Sequence, residues 1–587
     1  MALPSRVPNV LGETSLERFD AIVIGFGAGG GAATRVLATN GLKVCVLEAG
    51  NNYFLGLDDP APGNPVSLFS NDELKLSARE LIRQQARVEP RTFRESEADG
   101  PRRLIGEVQN LPKTVGGGWV HADMKTPRFT ELDFRLGTLL GDVPGASFAD
   151  WPLDYAELEP YYAATERLIG VAGDASADPF AAPRSGPYPM PPGARMYVDS
   201  VLADGARKLG LNPYPYPGAQ TTRFYRDRPP CNDCGFCSGY GCPINAKGSV
   251  AMQRDALLTG NVQVRYNAIA TRLVTDASRR RVTSVEYLDP DGNPASVSAD
   301  RVLLAASPIE STRLLLMSDP GGPGLGNSSG LVGRNLMFHH QTIGVGIYRQ
   351  DFHGERGKSV SGGFSDFRGV PNDPERPLGG VVEFGTNSEK IVDAMQYMSL
   401  GFRGEALKSY LRSSPFGRHI AVLIMQGEDA PQPTNRVDLD PDVKDINGLP
   451  VPRITYAPHP FEITARMFYA PKLIALHGAA GAQFAFVAPN YDGGPTPTTS
   501  HIMGTMRMGN DPALSVTDRF CRFHDVDNLY SADGAPFPTG SGYNPTLTIQ
   551  ALALRTAGAI VDPLRPEAVV EKSVTLRGGR ASSKPAA

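Results

Sequence analysis

Asp20-Ala-Ile-Val-Ile-Gly-Phe-Gly-Ala-Gly-Gly (residues 20–30), followed by Val44-Cys-Val-Leu-Glu-Ala-Gly (residues 44–50), is the stretch whose reading decides the fold. The apolar run at 21–24 reads as a buried strand that leads directly into Gly25, Gly27 and Gly30, a G-x-G-x-x-G loop. A helix is expected over 31–39, then a second buried strand over 44–47 ending on Glu48. Together they form a βαβ unit in which each part has a physical role. Gly25 permits the tight turn, Gly27 lets the backbone approach a pyrophosphate because no Cβ intrudes, and Gly30 lets the helix pack close to the strand. The helix N-terminus offers free N–H groups and a positive dipole end to phosphates. Glu48 stands 23 residues after Gly25, where it can accept hydrogen bonds from a ribose and repel the 2′-phosphate of NADP. Dinucleotide binding follows from the register of all these parts.

The chain has 587 residues, enough for two large domains, since single cores stop growing near ~250–300 residues. A formal net charge of −4 gives no basic field, so nucleic acid is not an expected partner. Residues 1–19 hold two scattered arginines and no apolar core, so they do not read as a signal peptide. No run of 18 apolar residues suggests a direct membrane span. A cytoplasmic location is the default expectation, with periplasmic location reached by co-export alongside a partner that carries the signal.

Further along, a helix is expected near 72–85, and then Lys113-Thr-Val-Gly-Gly-Gly-Trp-Val-His brings Gly116 and Gly117 into a run of three glycines. Such a run lets backbone pass very close to something flat or phosphorylated. Asp154 reads as the N-cap of a helix running to about 171. Cys231, Cys234, Cys237 and Cys242 follow a C-x2-C-x2-C-x4-C spacing, four of the six cysteines within twelve residues. Glycines between them let the loop curl around a single metal centre. Iron–sulfur ligation leads, with structural zinc, two disulfides, or free buried thiols as the alternatives. Cys45 and Cys521 read as structural. Residues 262–274 and 282–288 alternate as strands joined by a basic turn at 279–281, and 301–308 reads as a buried strand followed by a helix over 309–317. From about 341 to 488 the alternation is short, as at 342–348, 379–384 and 419–426, which suggests an antiparallel sheet flooring a substrate cavity.

Chemistry returns late, with His501 just ahead of Gly504-Thr505 and Asn544-Pro545-Thr546 leading into a buried helix over 547–561. Histidine has an ordinary pKa near ~6.5 and can take a hydroxyl proton at neutral pH. Asparagine donates and accepts hydrogen bonds without titrating, which suits orienting an alcohol. The two together fit alcohol oxidation.

At this point the chain resembles the glucose–methanol–choline (GMC) family of FAD-dependent oxidoreductases over most of its length, from Phe19 to about Val561. The resemblance rests on the glycine loop with Glu48, the Val115-Gly-Gly-Gly stretch, Val332-Gly-Arg-Asn-Leu, His501 before Gly-Thr, Ala532-Asp-Gly, and Asn544-Pro-Thr, in the family's order. It implies FAD as cofactor, with the ADP half on the opening loop and Glu48 on the adenosine ribose. Asp533 and Gly534 match a second contact with the flavin chain, and Asn544, Pro545 and Thr546 match the edge of the ring. His501 matches the family's proton acceptor and Asn544 the second member of its pair. The stretch 115–129 is similar to that of pyranose 2-oxidases and of gluconate or fructose dehydrogenases, which implies a covalent bond from His121 to the flavin 8α-carbon. Related sugar dehydrogenases carry a three-iron cluster on a loop ending in Cys-Pro-Ile, as at Cys242-Pro243-Ile244, although the cysteine spacing here departs from theirs.

The expected fold is therefore α/β. A discontinuous FAD-binding Rossmann-like domain spans 15–130, 240–340 and 495–565. A substrate-binding domain built on an antiparallel sheet spans 131–239 and 341–494, including the Cys-rich loop 231–242, and 1–14 and 566–587 are flexible tails. The expected activity is FAD-dependent oxidation of an alcohol group on a sugar or polyol, with His501 as base and hydride moving to flavin N5. Electrons would pass to an acceptor protein, quinone or oxygen, which implies a small subunit or a cytochrome as partner. The alternatives are oxidation of a long-chain or other non-sugar alcohol, and a lyase on the same fold without net redox change.

Overall fold

The opening apolar run is the strand Arg18–Ile24, and its last four residues are almost entirely excluded from solvent. In this computed structural model, residues 18–59, 63–68, 89–106, 108–109, 111–235, 237, 241–354, 356–386, 401–413, 418–488 and 499–574 are described. The expected helix near 72–85 lies outside them. After the strand the chain turns at Gly25, whose φ of +98° and a would-be Cβ only 2.4 Å from the Ala305 carbonyl exclude any side chain. The helix that follows is Ala28–Thr39, starting earlier than 31. Its glycines are poor helix formers, so packing decides this start: a Cβ on Gly29 would lie 1.8 Å from the Ala532 carbonyl. Gly27 sits at the N-cap with no side-chain cap, leaving the first N–H groups of the helix open.

Arg18–Ile24 pairs in parallel with Val44–Leu47 on one side and with the C-terminal half of Pro294–Leu304 on the other. Val262–Arg265 and Leu529–Ser531 extend this parallel array at its two ends. The N-terminal half of Pro294–Leu304 instead joins Val282–Leu288 and Ile269–Thr275 in an antiparallel meander. One seven-stranded sheet thus draws on three separated stretches of sequence. The single strand expected over 262–274 is two, because the chain breaks at 266–268. Asn267 there adopts a left-handed conformation, φ +52°, and the N–H groups of Asn267 and Ala268 donate to the carbonyls of Gly50 and Glu48, each at 2.9 Å.

A second, six-stranded sheet is antiparallel, in the order Phe484–Val487, Thr342–Ile347, Ile420–Met425, Val382–Thr386, Val360–Phe364, Tyr214–Pro215. The helices Tyr197–Lys208 and Pro460–Ala479 cover one face, where Leu202, Phe364, Phe384, Leu423 and Leu473 share a core. Side chains alternate across a strand, so Glu383, between the core residues Val382 and Phe384, points to the opposite face. A four-stranded sheet joins Arg436–Lys444 and Pro450–Thr455 to Arg91–Arg94 and Leu104–Gly106.

The end of the chain is brought to its beginning by the helix Thr546–Val561, which packs on Ala28–Thr39 and on Tyr155–Ile169. Small buried residues on both helices, Ala32 and Ala33 on the first and Ala551, Ala553 and Ala557 on the last, belong to one core and let the two axes approach. Asp154 caps Tyr155–Ile169 as expected, accepting from the Glu157 N–H at 2.9 Å. The flexible tail expected from 566 needs correction. Pro566–Val569 is a 3₁₀ turn, Val570 and Val574 are buried, and the buried Arg35 donates to the Val570 carbonyl at 2.6 Å. That guanidinium also pairs with Asp255 at 2.8 Å, so 566–574 is held by a buried cation rather than left in solvent.

A pair of glycine substitutions tests this packing. Gly29→Ala places a methyl against the Ala532 carbonyl and is expected to cost about 1–3 kcal/mol, read as a fall in apparent Tm. Gly478→Ala, in a helix with open space around its Cα, is expected to be neutral or stabilising by up to about 1 kcal/mol. Equal effects at the two sites would contradict the close approach at Gly29.

Candidate active site

A cavity of about 690 Å³ opens where the parallel strands end. Its walls include Gly25, Gly27, Glu48, Gly117, His121, Asp533, Gly534, His501, Asn544, Pro545 and Thr546. Residues more than 500 positions apart in sequence, Gly25 and Asn544 among them, therefore face one space. Two expected cofactor residues stand behind the wall. Gly30 packs under the turn, where a Cβ would lie 2.0 Å from the Gly25 carbonyl. Gly116 has φ +87°, donates its N–H to the Phe26 carbonyl at 2.8 Å, and has Val120 and Val250 where a side chain would go. Both shape the cavity without lining it.

At the end formed by the opening loop, both Glu48 oxygens accept backbone N–H bonds of 2.8 Å, one from Phe26 and one from Gly50. Burial nonetheless raises its pKa above the ordinary carboxyl value, against the pull of those bonds and of Lys113. Each oxygen keeps a further lone pair, so the carboxyl is held rigidly and can still accept from a sugar hydroxyl. Asp533 is fixed similarly, by the Ser311 hydroxyl at 2.6 Å and the Ala535 N–H at 2.9 Å, and burial raises its pKa too.

At the other end, His501 and Asn544 sit on the loops before the last strand and the last helix. Burial pushes the His501 pKa well below 6.5; a charge on the neighbouring His339 would push it the same way, as the Lys125 ammonium does, whereas a neutral His339 carries no such repulsion. The ring is therefore neutral near pH 7 and has a bare nitrogen for a proton. His501 Nδ1 lies 2.9 Å from His339 Nδ1. Asn544 Oδ1 accepts from the Tyr216 hydroxyl at 2.8 Å, and its side chain also donates to Glu383. Its orientation is thereby set by two buried neighbours.

Several of these neighbours are not distinguished by sequence pattern. Lys125 lines the cavity with its ammonium between Glu383 and Asp123, 3.2 Å from the latter, and the two carboxylates hold it protonated. Asp123 also accepts from the Ser359 hydroxyl at 2.9 Å, and Glu383 from Gln426 at 3.1 Å. Asp123 and Lys125 thus share the cavity with His501 and Asn544, with Glu383 buried behind them. The one available signal was position, since Asp123 and Lys125 directly follow His121 in the glycine-rich stretch. Glu383 comes from the substrate-side segment, where only strand alternation was readable, and His339 stands at the end of the 240–340 stretch with no motif of its own.

The four-cysteine centre expected at Cys231, Cys234, Cys237 and Cys242 is not assembled. All four are free thiols, and among the described residues no three His, Cys, Asp or Glu side chains converge as a metal-ligand set. Burial pushes the Cys237 thiol up to about 12 and the Cys231 thiol up to about 11. The Cys242 sulfur accepts the Ala246 N–H at 3.3 Å instead. What the loop does contact is the cavity wall. The buried Lys247 ammonium donates to the carbonyls of Ala122 at 2.6 Å and Val120 at 3.3 Å, on either side of His121, and to that of Cys237. No helix among the described residues is long and apolar enough to cross a membrane.

Comparison with known proteins agrees with this geometry. Family models described as GMC oxidoreductase match residues 194–341 and 431–553. The chain is 29% identical to the fructose dehydrogenase large subunit of Gluconobacter japonicus, over 93% of this chain and 98% of that one. It is 31% identical to 2-methyl-1,2-propanediol dehydrogenase of Mycolicibacterium austroafricanum, over 93% of this chain and 96% of the relative. Among solved structures, pyridoxine 4-oxidase from Mesorbium loti shares the fold with a TM-score of 0.59 at 17% identity, covering 92% of this chain and 98% of that one. With glycine loop, cavity and His501–Asn544 wall in one structure and relatives matched nearly end to end, the chain belongs to the GMC oxidoreductase family, enzymes that act on CH–OH donors.

Proposed function

We propose that the chain is an FAD-dependent dehydrogenase of a sugar or polyol alcohol, with His501 as the base and Asn544 holding the alcohol oxygen. The observation that carries this reading is the single cavity, which joins a ribose-accepting carboxylate at Glu48 to a neutral histidine and an oriented amide at the far end. The residues fit a dinucleotide: an uncapped helix N-terminus and side-chain-free backbone at Gly25 and Gly27 face the space. Glu48 would hold the adenosine ribose, Asp533 and Gly534 the flavin chain, and Pro545 and Thr546 the ring edge. When bound, FAD supplies the two-electron acceptor for the carbinol hydride.

The chain's own work is binding, orientation and proton transfer. His501 accepts the hydroxyl proton on its cavity-side nitrogen, and burial keeps that nitrogen unprotonated at neutral pH. Asn544, locked by Tyr216 and Glu383, keeps one amide N–H direction constant, so the alcohol oxygen is held in one place before the C–H bond breaks. Asp123 and Lys125, the latter held from behind by Glu383, offer an acceptor and a cation at fixed positions, which suits a neutral substrate with more than one hydroxyl. The electrons then go to an acceptor outside this chain. The large-subunit designation of the Gluconobacter relative supports a partner protein in that role. No electron step is assigned to the cysteine loop, whose thiols offer no ligand set among the described residues.

His501→Ala is expected to lower the rate of anaerobic flavin reduction by substrate about 10²–10⁴-fold with flavin content unchanged. Reduction at the wild-type rate would overturn the assignment. Because the His501 pKa is depressed, the proton-accepting form persists as pH falls, and the acidic limb of that rate is expected below 6.5. A limb centred above 6.5 would contradict burial as the dominant influence. His121 lines the same cavity and is proposed as the flavin's attachment point. Acid precipitation is expected to leave the yellow colour in the pellet, and recovery of all the colour in the supernatant would exclude the bond.

A further inference from the structure

We propose that His339 is a positioning residue that fixes the tautomer of His501, keeping its Nδ1 protonated and its cavity-side Nε2 bare. This inference rests on the reading of His501 as the base, and its logic is one of donors and acceptors along a short chain of groups. His339 Nε2 lies 3.4 Å from the Gly540 carbonyl, which can only accept, so the His339 proton sits on Nε2. His339 is completely buried, and burial takes its pKa down to about 4, so at neutral pH its ring carries that one proton and Nδ1 is a bare acceptor. His339 Nδ1 faces His501 Nδ1 at 2.9 Å, with the rings edge to face and their centroids 4.8 Å apart. One of the two nitrogens must donate, and with His339 Nδ1 bare the donor is His501 Nδ1. A neutral His501 then has its lone pair on Nε2.

The pair is held for this purpose at the main chain. The N–H groups of His339 and His501 both donate to the Thr499 hydroxyl, each at 3.2 Å, so one side chain sets the spacing of two segments 162 positions apart. The charged groups that face the pair are Lys125 on the His501 side and Arg368 on the His339 side. Lys125 is bound by Asp123 and Glu383, and Arg368 by Asp133 and Glu428, so each cation is compensated away from the rings. The arrangement does with a second imidazole and a carbonyl what a buried carboxylate does behind the histidine of a hydrolase triad, where the wrong tautomer costs about 10⁴-fold.

The direct test is ¹⁵N spectroscopy of the flavin-loaded protein labelled at histidine, with the His501 signals identified by their loss in His501→Asn. The expected result is a protonated Nδ1 and an unprotonated Nε2 for His501; the reverse overturns the proposal. Variants add a functional readout. His339→Leu removes the acceptor and is expected to lower the plateau rate of flavin reduction at least about tenfold and to shift its acidic limb to lower pH, because the His501 imidazolium loses an acceptor. His339→Asn, whose Oδ1 can accept from His501 Nδ1, is expected to restore the limb and to recover the rate to within about threefold of wild type. A plateau loss with the limb unmoved, or no rescue by asparagine, overturns the proposal in favour of a packing role. If the leucine variant does not fold, the spectrum of the wild-type protein decides. Failure of the base reading is separate, since it appears as an active His501→Ala variant and leaves the spectrum unaffected.

Discussion

Everything in the site depends on how closely the first helix is approached by the end of the chain. The helix Ala28–Thr39 carries glycine at 29 and 30 and alanine at 32 and 33, and Thr546–Val561 answers with alanines. With no side chain at Gly29, the Ala532 carbonyl can rest on the helix itself. That contact brings Asp533 and Gly534 beside the glycine loop, and the turn into the last helix sets Asn544, Pro545 and Thr546 at the other end of the same cavity. A larger residue at either surface would separate the part that grips a nucleotide from the part that handles an alcohol.

The second constraint is electrostatic. The alcohol end of the cavity is buried, and groups there are charged only where partners compensate. Lys125 remains a cation because Asp123 and Glu383 flank it. His501 pairs with no carboxylate among the described residues and is driven to the neutral form that a proton acceptor needs. The same burial that would be unfavourable for an unpaired ion thus suits the role of base proposed for His501. Glu383 also reaches Asn544 and Gln426, so the cation, the amide and the sheet beneath them belong to one hydrogen-bonded unit. Our proposal for His339 extends that unit to the base itself.

Local sequence carried the fold a long way because the βαβ unit is local. An apolar run, three glycines at fixed spacing and an acidic residue are constraints that act within about thirty residues, and strand, turn and Glu48 lie where those constraints put them. His501 and Asn544 were singled out by their chemistry and by the Gly-Thr and Pro-Thr beside them, and family resemblance added that they work as a pair, since nothing in their immediate neighbours requires them to meet. Lys125, Glu383, Tyr216 and His339 were not legible, because their meaning comes from contacts between segments hundreds of residues apart. The break at 266–268 escaped periodicity for a similar reason, since the chain turns there to donate to the carbonyls of Gly50 and Glu48. The cysteine loop shows the converse: a suggestive spacing in sequence, with no assembled ligand set among the described residues and the Cys242 sulfur accepting the Ala246 N–H.

The most direct measurement is anaerobic mixing of the flavin-loaded enzyme with polyols carrying hydrogen or deuterium at the carbinol carbon, followed by flavin absorbance. The account predicts bleaching by at least one polyol, slowed by deuterium at that carbon. Absence of bleaching across sugars, polyols and simple alcohols, or bleaching indifferent to deuterium when the chemical step is isolated, would contradict it.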